Sequence, residues 1–213
     1  MKHFTSFVGM AAWLSVAAFA GTIVNNGTPD NVNAYNITQY RAADDFTLAG
    51  ASTAASIQFW IATINPSDFN GSITYAFYAD NSGALGTQIA LGTVSGLTPG
   101  AVEGNLGPYI FYPVSFNFVS PVSLAAGTYW LELHEGASLT ANDGTATFWA
   151  ESAQSGNAKQ DSNPTLPTTS RNVELAFQIF DTAIASTPEP GSMALTSLGI
   201  GALVCFARRL RRV

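Results

Sequence analysis

The chain has 213 residues, 47% of them hydrophobic and only 10% charged, with a formal net charge of −6. The charge is unevenly placed: Lys2 and the four arginines between 208 and 212 make up five of the eight basic residues, while thirteen of the fourteen acids lie between Asp30 and Asp181. The central region sets Arg41, Lys159 and Arg171 against thirteen carboxylates, a formal −10, which repels phosphate backbones and argues against nucleic acid as a partner.

Lys2 and His3 form a short basic start, and an apolar run follows from Phe7 to Phe19. Ala18-Phe19-Ala20 is a small-x-small cleavage site, so residues 1–20 read as a secretory signal peptide cut after Ala20. Residues 21–180 are long enough for one well-buried domain and too short for two comfortable ones. The lone cysteine is Cys205, beyond this domain, so the domain has no disulfide and its stability must come from packing.

Within the domain the signal is β throughout. Ser56–Ile61, Ser72–Tyr78, Tyr129–His134 and Val173–Ile179 alternate apolar and polar residues with period two and are rich in aromatic and β-branched side chains. Thr22–Asn25, Thr38–Leu48, Thr87–Val94, Pro108–Val119 and Thr145–Glu151 are further strand candidates. Gly-Thr recurs at 21–22, 27–28, 86–87, 92–93, 127–128 and 144–145, at irregular intervals that indicate turn chemistry rather than a repeat. Asp80-Asn81-Ser82-Gly83 and Asn142-Asp143-Gly144 are turn sequences of the same kind. Residues 152–170 are polar, contain Pro164 and Pro167, and read as a long loop. Eight to ten short strands with this punctuation predict an all-β fold, an antiparallel β-sandwich or jelly-roll-like single domain.

Candidate chemistry is sparse. His134 is the one histidine after the signal peptide, no serine sits in a nucleophile elbow, and one histidine without cysteine makes a poor zinc set. At the end of its strand, His134 is expected to be exposed. Glu132, Glu151 and Glu174 fall in predicted strands and could pair for glycoside hydrolysis, although strand carboxylates on a solvent face are common. No catalytic residue, resident metal or cofactor is expected, and the chain reads as a non-enzyme. Asp44-Asp45 and the Asp80 turn offer oxygen ligands that could hold calcium, without an EF-hand or nonapeptide pattern. Asn26-Gly27-Thr28, Asn36-Ile37-Thr38 and Asn70-Gly71-Ser72 fit the N-glycosylation pattern.

The tryptophans are more informative. Trp60 alternates into phase with Ser56 and Gln58, Trp130 with Glu132 and His134, and Trp149 with Thr147 and Glu151. All three thus fall on the more polar side of their strands. Indoles beside carboxylates and amides make a common sugar-binding surface, so Trp60, Trp130 and Trp149 with Glu132 and Glu151 are the candidate ligand site. The competing reading is that loops cover them, as large aromatics are usually mostly buried.

Residues 181–187 read as a linker. Pro188-Glu189-Pro190 is a stiff, non-helical segment, because each proline fixes φ and restricts its predecessor. Residues 191–207 carry no charge and, as a helix of about 25 Å, reach the short end of what spans a bilayer. Arg208, Arg209, Arg211 and Arg212 then stop translocation on the cytoplasmic side. This order of parts, at 188–213, resembles the PEP-CTERM sorting signal of Gram-negative bacteria, with Pro188, Glu189 and Pro190 as its signature residues. The resemblance implies recognition by an exosortase, a membrane-embedded cysteine protease that cuts near the motif. It also implies passage across the inner membrane, transient anchoring, and delivery to the cell surface or beyond, often alongside exopolysaccharide production. Ala43–Leu48, Ala126–Leu131 and Leu175–Ile179 resemble stretches of β-rich exported domains that precede such tails. The expected role is a surface or extracellular-matrix structural protein; the alternative is a lectin-like carbohydrate-binding module with polysaccharide as partner.

Overall fold

The computed structural model describes residues 21–142 and 146–183. The predicted signal peptide, the sorting segment 188–213 with its 191–207 span, and most of the Asn142–Gly144 turn lie outside the described residues. Among the described residues no helix is long and apolar enough to cross a membrane.

The described chain is all-β. Its strands in order are β1 (Thr22–Asn25), β2 (Pro29–Asn36), β3 (Tyr40–Leu48), β4 (Ser52–Thr63), β5 (Ser72–Asp80), β6 (Leu85–Ser95), β7 (Gly104–Leu106), β8 (Tyr109–Leu124), β9 (Gly127–Glu135), β10 (Phe148–Ser152), β11 (Lys159–Ser162) and β12 (Phe177–Phe180), with one 3-10 turn at Pro66–Asp68. They form two antiparallel sheets. The five-stranded sheet runs β11-β3-β9-β5-β6.

The seven-stranded sheet is organised on β4. One edge of β4 pairs with β8 along its whole length, from Ser52 opposite Leu124 to Thr63 opposite Ile110. The other edge is divided: Ser56–Phe59 pair with β12, and Ile61 and Ala62 pair with β10. β1 then extends the sheet from β12, β2 extends it from β10, and β7 adds to β8. Two strands sharing one edge of β4 curl this sheet.

The alternation seen in the sequence builds one core between the sheets. Ile57, Phe59 and Ile61 of β4 meet Ile73, Tyr75 and Phe77 of β5 and Leu131 and Leu133 of β9 in a single buried cluster. Its aromatic rings pack edge to face, as Phe59 with Phe116 at 6.2 Å and Phe77 with Phe118 at 5.1 Å, the arrangement the ring quadrupole favours. Tyr75 ties the sheets together, because its hydroxyl accepts the Val119 N–H of β8 at 2.8 Å. Gly92 makes room for that ring: a Cβ there would lie 2.5 Å from the Tyr75 hydroxyl.

Three strands escape the sequence reading. β2 is Pro-Asp-Asn-Val-Asn-Ala-Tyr-Asn, turn composition held extended by its ladder to β10. β7 is three residues long. β11 lies inside the predicted loop 152–170 and pairs with Tyr40–Ala43 of β3. The following turn is fixed by Asp161, which accepts N–H and hydroxyl bonds from Thr168 and Thr169; burial, the largest single influence, pushes its carboxyl up, but these bonds together outweigh it and bring the carboxyl down to about 2. The predicted strand Val173–Ile179 is real only at its end, with an isolated bridge from Leu175 to Glu151 before β12 begins.

Candidate functional site

The three tryptophans occupy three different places, and none lies on an exposed platform. Trp130 does share one side of β9 with Glu132 and His134, and Trp60 does face away from the core residues Phe59 and Ile61. Both outer sides are covered. Trp60, 2% exposed, packs with Ala62, Phe111, Ala150 and Ala176, and its indole N–H donates to Glu103 at 2.6 Å. Trp130 is fully buried against Ala43, Ala76, Tyr78 and Leu85. Its N–H donates to Asp80 at 2.8 Å, and Lys159 sits 5.1 Å above the ring. Trp149 pairs with Ile61, which puts it in the core between the sheets, against Phe59 and Phe177. The residues that made its side look polar, Thr147 and Glu151, are themselves buried.

Glu132 is likewise unavailable to a ligand. Its carboxylate receives Arg41 in a two-pronged bond, Nε to Oε1 at 2.6 Å and Nη2 to Oε2 at 2.8 Å, and the Tyr78 hydroxyl at 2.7 Å. Burial and the adjacent Glu132 charge push the Tyr78 hydroxyl well up, so it stays a donor. Arg41 also donates to the Pro164 carbonyl at 3.1 Å, which fastens the 163–167 turn over this side of the sheet. His134, expected to be exposed, is completely buried, with Nε2 3.3 Å from the Asn163 amide under the same turn. The alternation says which residues share a side; it cannot say that a segment thirty residues downstream folds over that side.

Two features remain that could meet a ligand. The first is an acidic cluster at one end of the core. Asp44 alternates with Ala42 and Phe46 and pairs with Leu131, so its carboxylate points inward and is fully buried. It accepts the Leu175 N–H at 2.6 Å. Asp44, Asp45 and Glu174 each bring an oxygen within 4.8 Å of the others. The Asn26 amide nitrogen sits among them, 3.4 Å from Asp44 Oδ2, 3.2 Å from the Asp45 carbonyl and 2.9 Å from Glu174 Oε2. Burial, then the Glu174 charge and hydrogen bond, hold the Asp44 carboxyl well above the usual carboxylate range; burial raises Glu174 too. Both carboxyls are therefore biased toward the protonated form. The donor set suits a hard, oxygen-seeking cation such as calcium, but three carboxylates fall short of the six to eight oxygens that calcium takes. Asp80, the other predicted ligand, instead caps its turn through the Gly83 N–H and holds Trp130.

The raised Asp44 carboxyl has a measurable consequence. A carboxyl whose folded pKa is raised contributes stability below its ordinary value of 3.8, and that contribution is lost as pH rises through the raised value. Asp44→Asn should therefore flatten the decline in melting temperature between pH 4 and 8. At pH 8 it should raise the melting temperature by a few degrees, the shift that about 1 kcal/mol produces in a domain of this size. Calcium added at pH 8 separates the two chemistries: a rise in the native protein that Asp44→Asn abolishes identifies a cation site, and no rise leaves a buried carboxyl cluster without one.

The second feature is a pocket of about 210 Å³ on the outer side of the seven-stranded sheet. Tyr109, Phe111 and Phe148 form its aromatic wall, with Leu106, Ala34 and Ala62 completing the apolar lining and Asn33 as the polar member. Tyr109 and Phe148 stand edge to face at 5.4 Å. Asn33 donates to Glu151 at 2.8 Å, and burial, the largest influence, raises the Glu151 carboxyl. Trp60 belongs to the same outer cluster, but neither it nor Glu151 lines the pocket, and the residues that do were not singled out in the sequence. Tyr109 and Phe148 come from strands nearly forty residues apart, and β7, which supplies Leu106, had no sequence signature. The three sequon asparagines serve the fold: Asn36 and Asn70 cap turns through the Thr38 and Ser72 N–H groups, and Asn26 belongs to the acidic cluster.

Comparison with known proteins adds the following. Residues 186–212 match the PEP-CTERM protein-sorting motif. No curated protein matches the chain. Among solved structures, the cysteine protease and lectin-like domains of Cwp84, a surface-layer-associated protein of Clostridium difficile, align at 14% identity with a TM-score of 0.41, over 68% of this chain and 33% of that one. A chain of Broad Bean Stain Virus aligns at 9% identity and a TM-score of 0.25, over 84% of this chain and 98% of that one. The protein is thus a β-rich domain followed by a PEP-CTERM sorting motif, which implies export through an exosortase system with transient membrane anchoring before cleavage.

Proposed function

We propose that the β-domain is a non-enzymatic structural component of the cell surface or extracellular matrix, released there by an exosortase and associated with exopolysaccharide. The sorting motif at 186–212 carries this reading. The framework supports it: Glu132 and His134, two of the groups weighed for chemistry, are buried and engaged with Arg41, Tyr78 and Asn163. Mass spectrometry of protein recovered outside the cells should find neither residues 1–20 nor 191–213. Replacing Pro188, Glu189 and Pro190 together should leave the protein in the inner membrane. Intact 191–213 on the released protein, or unchanged export of the triple variant, would overturn the reading.

A second reading, carbohydrate binding, is favoured by the aromatic pocket rather than by the tryptophans. Its volume is below the range usual for drug-sized ligands and suits a single sugar ring stacked on Tyr109 or Phe148, with Asn33 as a hydrogen-bond donor. Tyr109→Ala should then abolish retention on polysaccharide while moving the melting temperature by only a few degrees, since Tyr109 is only half-buried. Retention equal to that of the native protein would dismiss the pocket.

A further inference from the structure

We infer that the β6 edge of the five-stranded sheet is a self-association surface, on which a second copy of this chain pairs strand to strand. β6 is the last strand of its sheet, so one side of its eleven residues has no ladder partner among the described residues. Natural edge strands are usually guarded by lysine, proline, inward charges or a covering segment. β6 reads Leu-Gly-Thr-Gln-Ile-Ala-Leu-Gly-Thr-Val-Ser and has none of the first three. Its pairing with β5 is irregular between Phe77 and Asp80, with Ile89 at a bulge, and is regular from Ala90 to Ser95, so the bulge leaves that part of the edge unguarded.

Charge identifies the occupant. From Asn81 to Leu131 the chain carries a single charged residue, Glu103, although the domain as a whole has a formal charge of −10. That stretch contains both β6 and β8, which line one groove together. Two copies of an acidic protein meet there with the least repulsion, whereas a basic partner would be drawn to the acidic surfaces elsewhere. The apolar residues agree. Ala90, Gly92 and Val94 pair with the core residues Phe77, Tyr75 and Ile73, so Leu91 lies on the opposite side, 56% exposed, and Ile89 at the bulge is 42% exposed. Val119 of β8, 65% exposed, stands across a groove of about 340 Å³ from them.

The strand is also self-complementary. An antiparallel pairing of β6 with its own copy about Gly92 keeps to the regular segment, setting Leu91 of each chain against Thr93 of the other and Ala90 against Val94. It joins two five-stranded sheets into one continuous sheet, a two-fold contact in which the same patch serves both sides. The pairing does not depend on where the protein is delivered. A chain that is released outside cells yet monomeric would sink this inference alone, and a dimer retained in the membrane would sink only the export reading.

The test is sedimentation velocity over a concentration series, on protein purified from cells expressing the full chain, with Ile89→Lys/Leu91→Lys and Val119→Lys variants alongside. The native protein should shift reversibly to twice its mass. The double variant should dimerise roughly tenfold or more weakly at an unchanged melting temperature, since both side chains are exposed. Val119→Lys, which leaves the strand edge intact, should weaken the dimer less. Hydrogen exchange on the native protein gives a check that needs no variant: the amides of residues 86–94 should gain protection as concentration rises. A monomer at every concentration, an oligomer untouched by the double variant, or β6 protection independent of concentration would each overturn the inference.

Discussion

Trp149→Ala should destabilise the domain by about 3–5 kcal/mol, the range for truncating a buried large aromatic. Whole domains are stable by only about 5–15 kcal/mol, so the variant should be marginal or unfolded. The indole is fully buried, meets Phe59 at 6.3 Å and Phe177 at 5.8 Å, and donates to the Ala176 carbonyl at 3.0 Å. Truncation opens a void at the junction where β10 and β12 share the edge of β4, between the two sheets. Trp60→Ala and Trp130→Ala should cost less, because each lies under a turn or short strand that can settle inward. Urea titration of the three variants checks the order. A Trp149→Ala protein as stable as the native one would mean that this indole is not in the core; a ranking with Trp60 highest would place the greater constraint on the outer cluster.

The sequence made the strands legible wherever one side is buried and the other is not. Ser56–Ile61, Ser72–Tyr78 and Tyr129–His134 all lie within observed strands, and Ile57, Phe59 and Ile61 line the core as their spacing predicts. β2 was illegible because proline, aspartate and asparagine are turn residues by local preference; its extended form is imposed by pairing with β10, which comes more than a hundred residues later. β11 failed for the same reason within a polar stretch. A ladder made by distant partners leaves no local pattern.

Candidate sites obey the same limit more severely. The phase of Trp60 and Trp130 was readable, and their covering by Glu103 and Leu166 was not, since those contacts span about forty residues of sequence. Asp44 reads as one of a pair of solvated acids, yet period two in Ala42, Asp44 and Phe46 already places it on the core side. What could not be read is that Asn26 and Glu174, 148 residues apart, converge on it. The aromatic pocket combines five strands, one of them only three residues long.

Arg41→Met should cost about 3–5 kcal/mol, the loss typical of breaking a buried ion pair from one side. Glu132 is fully buried and Arg41 nearly so, and the guanidinium supplies both of the carboxylate's short charged bonds. Without it, Glu132 keeps only the Tyr78 hydroxyl, and the Pro164 carbonyl loses its donor. Glu132→Leu leaves the opposite imbalance, a buried cation whose remaining partners are neutral, and should be similarly harmful. The double variant Arg41→Met/Glu132→Leu removes both charges and fills the space with apolar groups. Because desolvation of the two ions offsets much of their attraction, it should recover most of the loss. Urea denaturation of the four proteins forms a double-mutant cycle, and a coupling well above the few tenths of a kcal/mol expected of independent sites is the result that supports the pair. Strict additivity would mean that the two side chains do not depend on each other. If the double variant is no better than either single one, the pair is holding the 163–167 turn through the Pro164 carbonyl rather than neutralising charge, and hydrogen exchange in that turn should rise in every variant that lacks Arg41.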